Sequence, residues 1–303
     1  MFIYDLTYDA LVSWVTEQGH KPYRAKQIWH FLYEQKVASF EEMHNVPNDL
    51  IDALTASFKI KTLDYVLKAE SADGTIKFLY SLHDGHLIEA VLMTHHYGIS
   101  ICVTTQVGCN IGCSFCASGQ LSKKRNLTSG EIVAQILETE RFSGKRIAYV
   151  VVMGIGEPFD NFEHLTNFLF TINDPHGLAI SASHITVSTS GIVPKIREFG
   201  ALGIQVNLAV SLHAPNNEIR TKLMRINQKY DVDKVLDAVK DYLALTNRRV
   251  TFEYIMIQEL NDSEETALEL VKKIKGMNAY VNLIPYNEVI EAPYKRSTRE
   301  RME

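Results

Sequence analysis

Four cysteines are the entire thiol complement of this 303-residue chain, and all fall within 15 consecutive positions: Cys102, Cys109, Cys113 and Cys116. A disulfide framework scatters its cysteines, whereas reduced, clustered cysteines read as metal or redox chemistry. Met1 to Leu11 carries Asp5 and Asp9 and no basic segment leading into an apolar run, so a cytoplasmic protein is expected. Cys109-x3-Cys113-x2-Cys116 can hold one cubane iron–sulfur cluster through three of its irons, leaving the fourth open to a small ligand. A closed zinc site with Cys102 as fourth ligand is the alternative, although zinc modules more often pair two Cys-x2-Cys knuckles. Cys102 itself lies in the alternating segment Ile99–Thr105, which reads as a strand, and the turn begins only at Gly108.

A loop that presents thiolates needs a scaffold to aim it. From about residue 98 the sequence alternates short β-branched or aromatic runs with helical patterns. Strands are predicted at Ile99–Gln106, Ile147–Met153, His184–Thr189, Val206–Leu212, Val250–Met256 and Tyr280–Ile284. Helices are predicted at Ile132–Phe142, behind the capping residues Thr128 to Glu131, and at Phe162–Ile172, Val193–Phe199, Val232–Leu245 and Glu264–Lys275. Six βα repeats imply parallel strands with right-handed crossovers, hence a partial or full α/β barrel. Functional groups of such barrels collect at the C-terminal ends of the strands.

The polar motifs obey that rule. The cysteine loop follows the first strand and Gly154-Ile155-Gly156-Glu157-Pro158 the second. Ser188-Thr189-Ser190-Gly191 ends the third, Ser211-Leu212-His213 ends the fourth, and Asn287 lies just past the sixth. Each alone reads equally well as a turn or a cap; their placement on one mouth reads as a site. Gly154-x-Gly156 lacks the third glycine of a dinucleotide fingerprint. Its glycines let a ligand approach the backbone, and Glu157 offers a carboxylate suited to an ammonium group.

Ahead of the barrel, residues 1–60 read as three or four short helices, with one apolar stripe of Leu11, Trp14 and Val15 and another of Ile28, Trp29, Leu32 and Tyr33. Residues 61–97 read as a β-meander linker with Asp73-Gly74 and Asp84-Gly85 as hairpin turns, and residues 98–303 as the barrel. The chain is 46% hydrophobic and 22% charged, which excludes disorder, and no run of 18 apolar residues calls for a membrane. A net charge of −5 argues against binding nucleic acid by bulk charge, and residues 1–60 hold five Lys/Arg against eight Asp/Glu. Local basic groups occur at Lys123-Lys124-Arg125, at Arg248-Arg249, and at Lys295-Arg296 with Arg299 and Arg301. A charge run is usually a solvated face; the first group follows the cysteine loop and is the best candidate for a phosphate contact.

The cysteine motif with Gly156-Glu157 after the second strand resembles the radical S-adenosylmethionine superfamily. A finer resemblance runs through Thr104-Thr105-Gln106-Val107-Gly108-Cys109, Phe115-Cys116-Ala117-Ser118, Lys124-Arg125-Asn126-Leu127, Ser188-Thr189-Ser190-Gly191, Ser211-Leu212-His213 and Val281-Asn282-Leu283-Ile284-Pro285, and also Tyr23-Arg24-Ala25-Lys26-Gln27-Ile28 near the start. These segments resemble the RlmN/Cfr family of RNA adenine methyltransferases over nearly the whole chain. The resemblance implies a partial (β/α)6 barrel, a [4Fe–4S] cluster on Cys109, Cys113 and Cys116, and S-adenosylmethionine held by Gly156, Glu157, Ser188, Ser211, Leu212, His213 and Asn287. It implies an accessory RNA-gripping role for residues 1–60, adenosine in 23S rRNA as substrate, an anticodon-loop adenosine of tRNA for one branch, and an electron donor such as flavodoxin. In the family a methyl group is first placed on a C-terminal cysteine and reaches adenine as a carbon radical, because C2 and C8 of adenine are not nucleophiles. By the same resemblance Cys102 releases the product through a transient disulfide, and Glu89 accepts the proton. Glu89 sits in the apolar strand Leu87–Leu92, where burial would raise its pKa and suit that task; the plainer reading is an edge-strand charge facing water.

The chain departs from the family pattern in three places. No cysteine follows Cys116, and Ser297–Glu303 reads as the opening of a sixth barrel helix, so the expectation is a form without the methyl-carrying segment that binds cluster and cofactor but does not transfer methyl. Gly119-Gln120-Leu121-Ser122 replaces the family's Thr-x-Gly-Gly, and Arg225 replaces proline in Leu223-Met224-Arg225-Ile226-Asn227. Pro158 and Ser190 resemble the C2-methylating branch rather than the C8 branch that gives antibiotic resistance. Another radical S-adenosylmethionine enzyme with a different substrate, and a non-methylating RNA-binding paralogue, are the remaining alternatives.

Overall fold

The computed structural model describes residues 1–290 and 292–303. Helix α1 (Tyr8–Glu17) starts at Thr7, whose hydroxyl accepts from the Ala10 N–H, and buries Leu11 and Val15. Helix α2 (Tyr23–His30) buries Ile28 and Trp29 and runs into a π turn, Phe31–Gln35, that buries Leu32 and Tyr33. Helix α3 (Asn48–Ser57) adds Leu50 and Leu54. The two predicted stripes are therefore the core of a small helical region.

Four antiparallel strands follow: β1 (Leu63–Glu70), β2 (Ile76–Leu82), β3 (Leu87–His95) and β4 (Gly98–Cys102). Gly74 and Gly85 take φ of 81° and 82° in the two Asp-Gly turns, the left-handed geometry that glycine adopts without a Cβ penalty. On β2, Ile76, Phe78, Tyr80 and Leu82 are buried and alternate with more exposed residues, the period of a half-buried strand.

The chain then turns to βα units. The two-residue strands β5 (Gln106–Val107) and β6 (Arg125–Asn126) flank the cysteine loop, and α4 (Ser129–Ser143) follows. Thr128 and Glu131 close a capping box at its start. Next come β7 (Tyr149–Val152), α5 (Phe162–Asn173), β8 (Ile185–Thr189), α6 (Val193–Ala201), β9 (Asn207–Ser211), α7 (Asn217–Leu223) and α8 (Val232–Thr246). The series ends with β10 (Val250–Met256), α9 (Glu264–Ile274), β11 (Ala279–Pro285) and α10 (Arg299–Met302). Six strands, β4 and β7 to β11, are thus each followed in turn by a helix, the succession expected of a partial (β/α)6 barrel. The first is shorter than predicted. After Cys102 the Gln135 side chain occupies both polar groups of Thr104, accepting from its N–H at 2.8 Å and donating to its carbonyl at 2.9 Å. The ladder to β7 runs one residue further, with Val103 N–H donating to Val151 O at 3.0 Å, and at Thr104 a side chain stands in for a strand.

Two compact units divide the chain. One comprises residues 1–107, 126–154 and 161–185, and within it β4 and β7 run parallel. The other comprises residues 108–125, 155–160 and 186–303. Within it β8, β9, β10 and β11 run parallel in that order, with Glu253 of β10 in register with Ser211 on one side and Asn282 on the other. Among the described residues no helix is long and apolar enough to cross a membrane.

Candidate functional site

The second unit holds all three cysteines of the predicted cluster motif. Their loop is tied down by its own backbone. Cys109 N–H donates to Leu121 O at 2.9 Å, Cys116 N–H to Cys113 O at 3.2 Å, and Gly119 N–H to Cys116 O at 3.0 Å. Gly108 has φ of 76°, and a Cβ there would meet Ser122 O. A Cβ at Gly119 would lie 2.7 Å from Cys113 O. α7 grips the loop from outside: Ser114 N–H donates to Leu223 O at 2.9 Å, and the Ser114 hydroxyl lies 2.8 Å from the Tyr294 hydroxyl. Burial, then the neighbouring Cys116 and Cys109, push the Cys113 thiol well above its ordinary value, and burial raises Cys109 as well. Thiolates that repel each other in a half-buried loop call for a cationic group, which is what an iron–sulfur cluster supplies. Among the described residues no three His, Cys, Asp or Glu side chains converge at the spacing of one metal ion. Three thiolates on one loop are the donor set of a cubane with one open iron, whereas a closed zinc site needs four ligands.

Glu157 lies in the same unit and is buried. Its carboxylate accepts from Phe159 N–H at 3.0 Å, the Thr189 hydroxyl at 2.8 Å and Ser190 N–H at 2.6 Å. Burial raises its pKa and these hydrogen bonds oppose the rise. The Ser190 hydroxyl beside it is buried and lies near that carboxylate, but it makes no hydrogen bond of good geometry among the described residues. A buried hydroxyl without a partner costs free energy, and a polar ligand group would satisfy it. Gly156, at φ 112°, takes a backbone conformation that side chains rarely adopt. The mouth thus fits a small zwitterion: a carboxylate and a hydroxyl next to backbone that a ligand can approach.

His213 is buried at φ 57°, and its ring is fixed on two sides. Its Nδ1 accepts from Ile255 N–H at 3.0 Å, and Phe115 of the cysteine loop meets the ring edge-on at 4.9 Å. Burial, then the nearby Arg220 charge, depress its pKa to about 3. The ring is therefore neutral, with the proton on Nε2. Ser211 ends β9 beside it, and Leu212 is fully buried. Leu212 N–H and His213 N–H both donate to Glu253 O, at 3.1 and 3.2 Å.

Of the predicted site residues, the second unit gathers Cys109, Cys113, Cys116, Gly156, Glu157, Ser188, Ser211, Leu212, His213 and Asn287; Ser188 is half-buried on β8 and Asn287 is exposed beyond β11. Glu89 and Cys102 lie in the first unit. Cys102 is in register with Val91 on β3, which places Glu89, two residues away, on the same face and diagonal to Cys102. Burial pushes the Cys102 thiol up to about 11. The burial expected for Glu89 does not occur: its carboxylate is partly exposed and sits 3.2 Å from Lys77 Nζ, because Lys77 shares that face of the meander. All four cysteines are free thiols. The favoured phosphate candidate is also partly engaged, since Lys123 pairs with Asp160 at 2.6 Å. Sequence reasoning missed Arg220, which lies on α7, and the buried Glu253, whose carboxylate accepts from Asn282 Nδ2 at 2.7 Å. The only signal for Glu253 was one carboxylate in the apolar run Val250–Met256.

Two family models match this chain: the radical SAM superfamily over residues 103–271 and the ribosomal RNA large subunit methyltransferase N-terminal domain over residues 2–60. A probable dual-specificity RNA methyltransferase RlmN of Acholeplasma laidlawii is 63% identical over 99% of this chain and 89% of its own length. A protein of the same description from Streptococcus thermophilus is 56% identical over 99% of this chain and 79% of its own. The crystal structure of a radical SAM methyltransferase from Sphaerobacter thermophilus matches with a TM-score of 0.94 at 40% identity, covering 100% of this chain and 90% of that one.

Proposed function

The chain belongs to the RlmN family of radical SAM RNA methyltransferases, and from that premise we propose that it methylates C2 of an adenosine in 23S rRNA and of an anticodon-loop adenosine in tRNA. The observation that carries the reading is the closed cysteine loop lying in one compact unit with the Glu157–Ser190 pair and the neutral His213. Cys109, Cys113 and Cys116 hold the [4Fe–4S] cluster in this reading. When bound, the cluster and S-adenosylmethionine supply the one-electron chemistry that reaches an aromatic carbon which is no nucleophile.

The chain's own residues do the rest. Glu157 takes the cofactor's ammonium group while Thr189 and Ser190 fix its carboxylate, and the Ser190 hydroxyl donates to the ligand. Gly156, Ser188, Ser211, Leu212, His213 and Asn287 complete the cofactor's surroundings. Cys102 resolves the methylcysteine intermediate of the family route, whose carrier cysteine is not among these 303 residues. With its pKa near 11 Cys102 needs a base for that step, and Glu89, diagonal to it on the sheet, is placed to accept a proton. Electrons come from a small donor such as flavodoxin.

The test has two stages. Anaerobic reconstitution with iron and sulfide, followed by chemical reduction with S-adenosylmethionine present, is expected to yield 5′-deoxyadenosine. Deleting the gene is expected to remove 2-methyladenosine from both 23S rRNA and tRNA, measured by nuclease digestion and mass spectrometry. Unchanged 2-methyladenosine, or loss of an 8-methyl mark instead, would overturn the assignment.

A further inference from the structure

Arg220 is fully buried, and every hydrogen-bonding N–H of its guanidinium is taken. Nε donates to Leu212 O at 3.2 Å. One terminal nitrogen donates to Asn227 Oδ1 at 3.0 Å and Tyr230 O at 3.1 Å. The other donates to Ser190 O at 2.6 Å and Ser211 O at 3.3 Å. All five acceptors are uncharged, and among the described residues no ion pair involves Arg220. Asp231 favours the charge from a distance, but a buried cation without a contacting counter-ion is costly even when its hydrogen bonds are complete.

The surroundings indicate what the charge serves. Arg220 lies one turn before the end of α7, the end that accepts Ser114 N–H and so holds the cysteine loop. Its other contacts are the turns after β8 and β9 that carry Ser190, Ser211 and Leu212. Ser190 stands between two buried charges: its N–H points to Glu157 and its carbonyl to Arg220. Cys113 of the cysteine loop packs against a buried cluster that includes Leu223 and Met224, at the end of α7.

We propose that Arg220 is a positioning residue whose fixed positive charge, held between the cysteine loop and the cofactor turns, sets the reduction potential of the cluster on Cys109, Cys113 and Cys116. One-electron reduction makes the cluster more negative, and a nearby buried cation favours that form because screening is weak in the interior. This inference rests on the cluster reading above.

The experiment is an anaerobic dithionite titration followed by electron paramagnetic resonance, run on wild type, Arg220→Lys, Arg220→Met and Asn227→Asp, with iron and sulfide counted for each. Arg220→Met removes the charge. Asn227→Asp keeps the side-chain shape but sets a carboxylate against the same N–H; of the three acceptors that Asn227 Nδ2 now serves, the Thr221 hydroxyl at 2.8 Å can turn to donate, while Asn217 O and Oδ1 lose their donor. Both are expected to shift the potential in the negative direction at full iron content, while Arg220→Lys stays near wild type. A merely structural role would leave the potential of every folded, loaded variant alike. Should Arg220→Met fail to fold, Asn227→Asp against wild type decides. Loaded variants with wild-type potentials would sink the inference alone. A wild-type chain that takes up no iron and sulfide would sink the cluster reading and this inference with it.

Discussion

At the residue scale the site works by fixing protonation states. His213 folds as a neutral ring because Nδ1 must accept from Ile255 N–H and burial disfavours the imidazolium. The unfolded ring takes a proton below about pH 6.5 and the folded ring only near 3, so between these values the unfolded state binds more protons. Stability therefore falls as pH drops through that window, by about 2 kcal/mol from pH 7 to pH 5. His213→Asn, whose amide oxygen can accept the same N–H, should lose that share of the pH dependence in urea melts of the apoprotein. Glu157→Gln should weaken S-adenosylmethionine binding by about tenfold or more, because one of the three donors now facing the carboxylate loses its acceptor; equilibrium dialysis checks it, and unchanged affinity would count against Glu157 as the ammonium ligand. Residues that act through side-chain chemistry, the cysteines and Glu157 among them, were legible in the sequence because their types and spacing declare them. Arg220 was not, since four of its five partners are backbone carbonyls that carry no sequence signature.

At the scale of elements, local rules govern and two of them can be tested. Thr128→Ala removes the hydroxyl of the α4 capping box and should cost about 1 kcal/mol in denaturant unfolding. Gly108→Ala forces a Cβ against Ser122 O at a left-handed φ, so the cysteine loop should open and iron uptake should fall sharply in reconstitution. Long elements were readable: the helical stripes, both Asp-Gly turns, and the helices and strands of the barrel lie within a few residues of their predicted ends. Two features were not. α7 has seven residues, too few to show a helical period, yet it carries Arg220 and holds the cysteine loop. The first barrel strand stops at Cys102, not Gln106, because a glutamine distant in sequence, Gln135, takes over Thr104. No local pattern encodes that substitution of a side chain for a strand.

At the scale of the whole molecule, charge sets how RNA is met. The net charge is −5. Several cations offered as phosphate contacts are already engaged: Lys123 with Asp160, Lys295 with Glu288, Arg299 with Glu303, and Arg249 over the ring of Tyr280 at 3.6 Å. RNA binding should therefore depend shallowly on salt, with a log–log slope smaller in magnitude than about 4; filter binding across a salt series measures it, and a steeper slope would reveal a basic surface that forms only with RNA. The guanidinium at Arg220 carries a lesson for anyone reading mutational scans of this enzyme. Leu212, Tyr230, Ser190 and Ser211 hold it with main-chain oxygens, which any residue provides. Exchanges at those four positions leave the clasp itself in place, whereas a single exchange at Arg220 undoes all of it. The tolerance map should show an intolerant arginine with one side-chain partner, Asn227, and covariation searches would pass over the other four contacts.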